Sequence, residues 1–482
     1  MDVKKVCIFL GILLLFSGCT QAQPAQKSEI QLVAFDVFAI NDLHGKLADT
    51  DYQPGVDELS TYLKQAGQAR NTILLSTGDM WQGAAESNLT GGLIVTEWMN
   101  RLDFAAMTPG GHEFDWGEEQ IRQNQQLAEF PFLAINIFNR ETDQPVDYCQ
   151  SSAVVEIEGA QIGIIGAIGN CYYSISAEHT EGVYFKTGQE LTELVKAESE
   201  KLRGEGVDFI IYAIHDGSDQ HTAADTAITD NQLQSYYDIT LSEGYVDLVF
   251  EADTHYTYAL TDSYGVYHLQ AGGNNSGISH ASVLLDLTNG EATVFAAEIL
   301  PSSEYSRGED DPVVGQLLEK YSNEIGSAEE ILGTNGRYRN KENICQLVAD
   351  LYYAAGVEKW SENYDIVLGG GYISCRSPGY LPPGEVSYSQ LLSLLPFDNQ
   401  IMLCSISGRN LVSRFLETDN SAYYICTTAQ AADIDPDGVY YLVTDSYTAN
   451  YAYNRLTIID TYDADVFARD LLADHIRQGA LG

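Results

Sequence analysis

Asp42 and His44 stand in FAINDLHGKL, Asp79 in LLSTGDMWQG, His112 and Asp115 in MTPGGHEFDWG, His215 in IYAIHDGS, and Asp253 and His255 in VFEADTHYTY. Carboxylates and imidazoles recur in order, each group close behind an apolar run that reads as a buried strand. A rigid sheet holds donors at its strand ends in fixed positions. Hard and borderline donors gathered there suit divalent cations and metal-dependent hydrolysis. Taken singly, the same residues have ordinary readings: Asp42 as a turn residue, and His215 as a hydrogen-bonded interior imidazole. Asp216 and Glu251 adjoin candidate ligands and read as capping or solvated carboxylates. His221, His268 and His280 fit no ligand position and read as structural.

The elements that must hold these groups are legible as alternation. From 32 to 300, strand-like runs (VAFDVFAI, TILLST, FAAMTP, PFLAINI, IGIIGAIG, DFIIYAI, VDLVFEA) alternate with helical periodicity over 56–69, 118–128 and 190–203. A hairpin is expected across Glu158-Gly159, and VYHLQAGG and ASVLLDLTNGEATVFAAEIL read as added antiparallel strands. This is α/β layering. A polar, Pro-containing stretch and a helix over 312–327 form a linker, 301–332. A second, smaller α/β domain is expected over 333–482, with helices at 342–355 and 408–417, the segment YDIVLGGG leading into a Gly-rich loop, and the strand GVYYLVT.

With 482 residues and a formal net charge of −44, the chain is long enough for two or three domains and repels nucleic-acid polymers. A small anionic substrate would need local cations, either metal ions or a few placed arginines. The first 18 residues read as a signal peptide, with Lys4 and Lys5 before an apolar run from Val6 to Phe16 that is short for a spanning helix. The ending Phe-Ser-Gly-Cys resembles a bacterial lipobox. That resemblance would make Cys19 the lipidated start of a mature, extracytoplasmic protein, tethered over 19–31 and touching the membrane through its anchor alone. Six further cysteines (Cys149, Cys171, Cys345, Cys375, Cys404 and Cys426) lack CxxC spacing, so disulfides and buried thiols both remain open.

The order NDLHG, GDMWQG, GHEFDWG, HDG, DTH, a Gly-rich loop, PFDN and a C-terminal Tyr segment resembles the bacterial 5′-nucleotidase/UDP-sugar hydrolase family over nearly the whole mature chain. The resemblance implies an N-terminal αββα two-sheet metallophosphoesterase sandwich with two divalent metals (Mn, Zn, Fe, Mg or Ca) and a C-terminal specificity domain. It assigns one metal to Asp42, His44 and His255, a bridge to Asp79, and a second metal to His215. Two of the family's second-site ligands are replaced here: its Asn by Gly111 and its His by Asp253. Asp253 still offers a carboxylate, whereas Gly111 offers nothing, so a tight first site and a weak second one are expected.

By the same resemblance, a metal-bound water attacks phosphorus, His112 protonates the leaving oxygen and Asp115 orients His112. Arg376 would stand in for the family's phosphate-binding arginine. Phe397, with Asn399 beside it, and Tyr447 would sandwich the base. The family's ribose-holding Gly-Gly-Asp turn is replaced by Asn450-Tyr451-Ala452-Tyr453. The expected activity is hydrolysis of a nucleotide or nucleotide-like phosphate ester. The alternatives are a catalytically degenerate binding or scaffold lipoprotein, and a cyclic-nucleotide or sugar-phosphate phosphodiesterase.

Overall fold

The computed structural model describes residues 31–482 apart from 50–53, 176, 219–238, 307, 377, 419, 452–453, 464, 480 and 482. The signal peptide, Cys19 and nearly all of the tether lie outside the described residues, as does His221.

Eleven strands build two facing sheets: β1 (Leu32–Ile40), β2 (Thr72–Ser76), β3 (Ala106–Met107), β4 (Ser152–Ile157), β5 (Ala160–Ile168), β6 (Phe209–His215), β7 (Leu248–Phe250), β8 (Thr257–Thr261), β9 (Tyr267–Ala271), β10 (Gly277–Asp286) and β11 (Glu291–Pro301). The first sheet runs β11-β10-β1-β2-β3 and the second β8-β9-β7-β6-β5-β4. Each has a parallel centre: β1 with β2 and β2 with β3, then β5 with β6 and β6 with β7. Strands buried on both faces carry near-continuous apolar runs, because helices cover what the opposite sheet does not. In β1, Val33, Phe35, Val37 and Ala39 face the other sheet, where they meet residues such as Ile162, Ile164, Phe209 and Ile211. Their neighbours Phe38 and Ile40 join the helix-side core around Trp81 and Trp98. The helices Asp57–Ala69, Gly117–Leu127 and Gln189–Gly204 lie within a residue or so of the periodic segments that announce them. The hairpin across Glu158-Gly159 forms with both residues at positive φ, 50° and 90°.

A third sheet completes the fold from β12 (Ile366–Tyr372), β13 (Ile401–Ser407), β14 (Tyr423–Thr427), β15 (Val439–Asp445) and β16 (Thr457–Thr461), in the order β14-β12-β15-β13-β16. The helix Lys341–Trp360 packs against it through Ile344, Val348 and Tyr352. The N-terminal two-sheet sandwich is thus followed by a smaller α/β domain.

Four local expectations change. PFLAINI makes isolated bridges, Met107 with Phe132 and Leu133 with Gln150, and only its last residue enters a strand, Ile137–Asn139. FAAMTP contributes two strand residues. The helix expected over 312–327 breaks after Val313–Lys320 into short turns. The glycines of LGGG lie inside β12, paired with β14 and β15, and not in a loop, and the helix Lys341–Trp360 lies close enough to demand glycine there. A Cβ on Gly369 would lie 2.2 Å from the Tyr353 backbone nitrogen.

Candidate active site

The candidate ligands sit where parallel strands end. Asp42 follows β1, Asp79 follows β2, His215 is the last residue of β6 and Asp253 comes three residues after β7. Open α/β sheets hold ligands outside the carboxyl ends of their strands. Here two such edges coincide, tied by Thr77 Oγ1 donating to the Glu251 carbonyl at 3.2 Å and Thr108 Oγ1 to the Ala213 carbonyl at 3.1 Å. The chain turns sharply as it leaves each edge. Asp42, His44, Asp79, Asp253 and His255 adopt φ of 48°, 51°, 54°, 68° and 56°. Non-glycine residues take this left-handed conformation at a cost of about 1–3 kcal/mol each, and such strain gathers where a site demands it.

The side chains converge. Ligand atoms of Asp42, His44 and His255 lie within 4.8 Å of one another, as do those of Asp42, Asp79 and His215. His44 Nδ1–H donates to the Gln82 carbonyl at 2.8 Å and His215 Nδ1–H to the Thr77 carbonyl at 2.6 Å. A carbonyl can only accept, so both rings hold a proton on Nδ1 and turn Nε2 to the centre, the atom that binds metal when it is unprotonated. His44 Nε2 faces His255 Nε2 at 3.2 Å, and the fully buried His215 Nε2 has no hydrogen-bond partner. Burial first, then His255, pushes the His44 pKa well below its ordinary value, which keeps that ring neutral. Burial works against a charged His215, yet Asp79, 3.4 Å away, outweighs it and raises that pKa, so a proton competes for the cation's position. Burial, with Asp79 and Asp42 nearby, lifts Asp253 to about 6. Inward-facing ring nitrogens, one of them buried without a hydrogen-bond partner, and crowded carboxylates fit divalent cations.

His112 Nδ1–H donates to Asp115 Oδ2 at 2.8 Å, and the His112 backbone N–H donates to Asp79 Oδ1 at 2.8 Å. Burial opposes its protonation, but Asp115 and Asp79 prevail and raise it to about 9. The C-terminal domain supplies the rest. Arg376 Nη2 lies 3.2 Å from His112 Nε2, and the guanidinium sits over the Phe397 ring, 5.0 Å from its centroid. Phe397 stacks on His112 with centroids 5.3 Å apart. Tyr447, the other aromatic named from the sequence, pairs with Tyr372 at 5.5 Å. Asn399 follows Phe397 on the same loop, half-buried. Gly111 has φ −63° and ψ −42°, an ordinary helical conformation, so its backbone does not require glycine.

Three groups escaped the sequence reading. Glu113 is fully buried and accepts four backbone N–H bonds: Oε2 from Asp79 and Gly110 at 2.8 and 2.6 Å, and Oε1 from Met80 and Trp81 at 2.8 and 3.2 Å. It clamps the Asp79 loop to the His112 loop. Asn41 donates from Nδ2 to Asp42 Oδ2 at 2.7 Å and accepts the Ala271 N–H, fixing Asp42 to the end of β9. Cys171 contributes a sulfur within 4.8 Å of His215 and Asp253 ligand atoms. Glu113 and Asn41 adjoin predicted site residues, and their position beside His112 and Asp42 was the only signal available; Cys171 gave none.

No family model matches the chain. An apyrase of Tabanus yao is 25% identical over 455 residues, covering 85% of this chain and 78% of the apyrase. A 5′-nucleotidase of Vibrio vulnificus (strain CMCP6) is 22% identical over 461 residues, covering 85% and 80%. The crystal structure of a 5′-nucleotidase precursor from Thermus thermophilus superposes with a TM-score of 0.72 at 17% identity, over 93% of this chain and 97% of that one. Along most of its length the sequence is similar to those of an apyrase and of 5′-nucleotidases, and its fold, a two-sheet sandwich followed by a C-terminal domain, is shared with solved 5′-nucleotidases.

Proposed function

We propose that this protein is an extracytoplasmic, metal-dependent phosphoesterase that hydrolyses nucleotide or nucleotide-like phosphate esters. The observation that carries the reading is the pairing of a cation-ready ligand cluster with an unmatched arginine at its mouth. Arg376 has no carboxylate partner among the described residues, and its buried Nε lacks a hydrogen-bond partner. In a chain of net charge −44, such a cation is arranged for an anion.

Asp42, His44 and His255 would hold one divalent cation, with Asp79, His215 and Asp253 available to a second. When bound, these ions polarise phosphoryl oxygens and acidify water. The protein's own groups do the remaining work. Asp115 fixes His112 with its Nδ1 proton held, so Nε2 is the atom that delivers a proton to the leaving oxygen. Arg376 Nη2 stands 3.2 Å from Nε2, so a protonated His112 sets two cations against each other. A phosphate dianion resolves the conflict, because both cations can then face it. Phe397 offers a half-buried ring beside this point, suited to a base or another flat group. The competing reading, a degenerate binding protein, draws its support from Gly111, which offers no ligand.

The test is turnover of a panel of nucleoside monophosphates, cyclic nucleotides and sugar phosphates by the Mn²⁺-loaded protein, beside Asp42→Ala, His112→Ala and Arg376→Ala. Turnover lost in the first two, with KM raised by the third, supports hydrolysis. No turnover on any ester, with at most one metal per chain, supports the binding protein.

A further inference from the structure

Resting on that reading, the position of Cys171 extends it. Strand β5 pairs in parallel with β6, and the last pair in register is Ile168 with His215. Directly beyond it the chain is pinned: Gly169 N–H donates to the His215 carbonyl at 3.0 Å, and Asn170 N–H to Asp216 Oδ2 at 2.8 Å. The turn Asn170–Ser174 then directs Cys171 inward, where it is 6% exposed. Its sulfur lies 3.4 Å from the His215 carbonyl oxygen, and Sγ, a His215 ring nitrogen and an Asp253 oxygen all lie within 4.8 Å of one another. Independently, His215 Nε2 is fully buried, without a hydrogen-bond partner, while its Nδ1 is committed to Thr77.

We propose that Cys171 is a ligand of the second cation, completing a site of one sulfur, one imidazole nitrogen and two carboxylates from Cys171, His215, Asp253 and Asp79. By the resemblance, two second-site ligands are replaced here, at Gly111 and Asp253, and the thiol stands beside Asp253 and His215. Four mixed donors are the number that Zn²⁺ takes in tetrahedral sites. Sulfur and imidazole favour Zn²⁺, Co²⁺ or Fe²⁺ over Mg²⁺ and Ca²⁺, so the substitution changes which metal the site selects. Binding at this site converts the Cys171 thiol to a thiolate: the S–H bond breaks, an S–metal bond forms, and the thiol proton passes to solvent, along with any proton the cation displaces from His215. No electrons are exchanged. The first cation, among Asp42, His44 and His255, keeps an all-nitrogen and oxygen set.

Cobalt substitution tests this on the full chain. Expected for the wild type are two Co²⁺ per chain by elemental analysis and a thiolate-to-Co²⁺ charge-transfer band in the near ultraviolet. Cys171→Ser and Cys171→Ala should each lose the band and weaken the second Co²⁺ by at least about tenfold, as loss of a ligand requires. The first Co²⁺ should remain, which certifies that the variants are folded. Cys345→Ser should keep the band. Two Co²⁺ in the wild type without the band overturn the thiolate ligand and leave the hydrolase reading intact, as does a band that survives Cys171→Ala. Failure of the wild type to take up any Co²⁺ overturns both.

Discussion

Replacing Glu113 with glutamine is the sharpest test of how the site is held. The carboxylate accepts four backbone N–H bonds at 2.6–3.2 Å, two on each oxygen. Only the ionised group can do this. Burial first, then Asp79, pushes Glu113 up to about 7, so the comparison belongs at pH 8 or above. Glutamine keeps the shape and one accepting oxygen but turns an NH₂ toward two N–H donors. Hydrogen bonds to a charged group contribute about 1.5–3 kcal/mol each, so losing two removes on the order of 3–6 kcal/mol before relaxation. Rotation of the Asp79 and His112 loops recovers part of it, leaving an expected loss of about 3 kcal/mol. That rotation also moves Asp79, so metal uptake should fall. The assay is urea unfolding of the metal-free protein at pH 8.5, with metal stoichiometry measured in parallel. Glu113→Gln unfolding within about 0.5 kcal/mol of wild type, the range of an ordinary surface change, and binding metal normally would refute the clamp.

Gly111→Asn should raise occupancy of the second cation site, because the backbone there is already helical and the side chain adds an oxygen donor; unchanged titration stoichiometry would show that position 111 does not face the site. His112, lifted to about 9 in the metal-free protein against an ordinary value near 6.5, contributes stability that is fully present below about pH 6.5 and lost as pH rises through 9. The gap in unfolding free energy between wild type and His112→Gln should therefore narrow by up to about 3 kcal/mol between pH 6 and pH 10, and a gap flat across that range would contradict it. Buried His268, which bridges Glu251 at 2.7 Å and Asp262 at 3.4 Å, is also raised to about 9: burial resists, and Glu251 prevails. His268→Ala strands two buried carboxylates and should destabilise the fold by about 3–5 kcal/mol in chemical denaturation at neutral pH; a loss below about 1 kcal/mol would mean that solvent reaches them.

The sequence by itself determined the layering and the chemistry available. Strand and helix periods are local, set by side-chain alternation within a few residues, which is why Asp57–Ala69 and Gln189–Gly204 lie almost where the pattern puts them. Asp42, Asp79 and His215 could be placed at strand ends because an apolar run stops just before or at them. Where tertiary pairing overrides propensity, the pattern misled: LGGG lies in a strand paired on both sides, and PFLAINI, apolar enough for a strand, is spent mostly on isolated bridges.

Only the tertiary structure decided how the groups meet. Left-handed backbone at five candidate ligands, Glu113 clamping two loops, and Cys171 swinging in behind His215 all depend on strand register and loop closure, which leave no trace in residue type. Arg376 reaches His112 across 264 positions of chain, and Phe397 stacks on His112, because the relative placement of two domains fixes those distances and no local period encodes it.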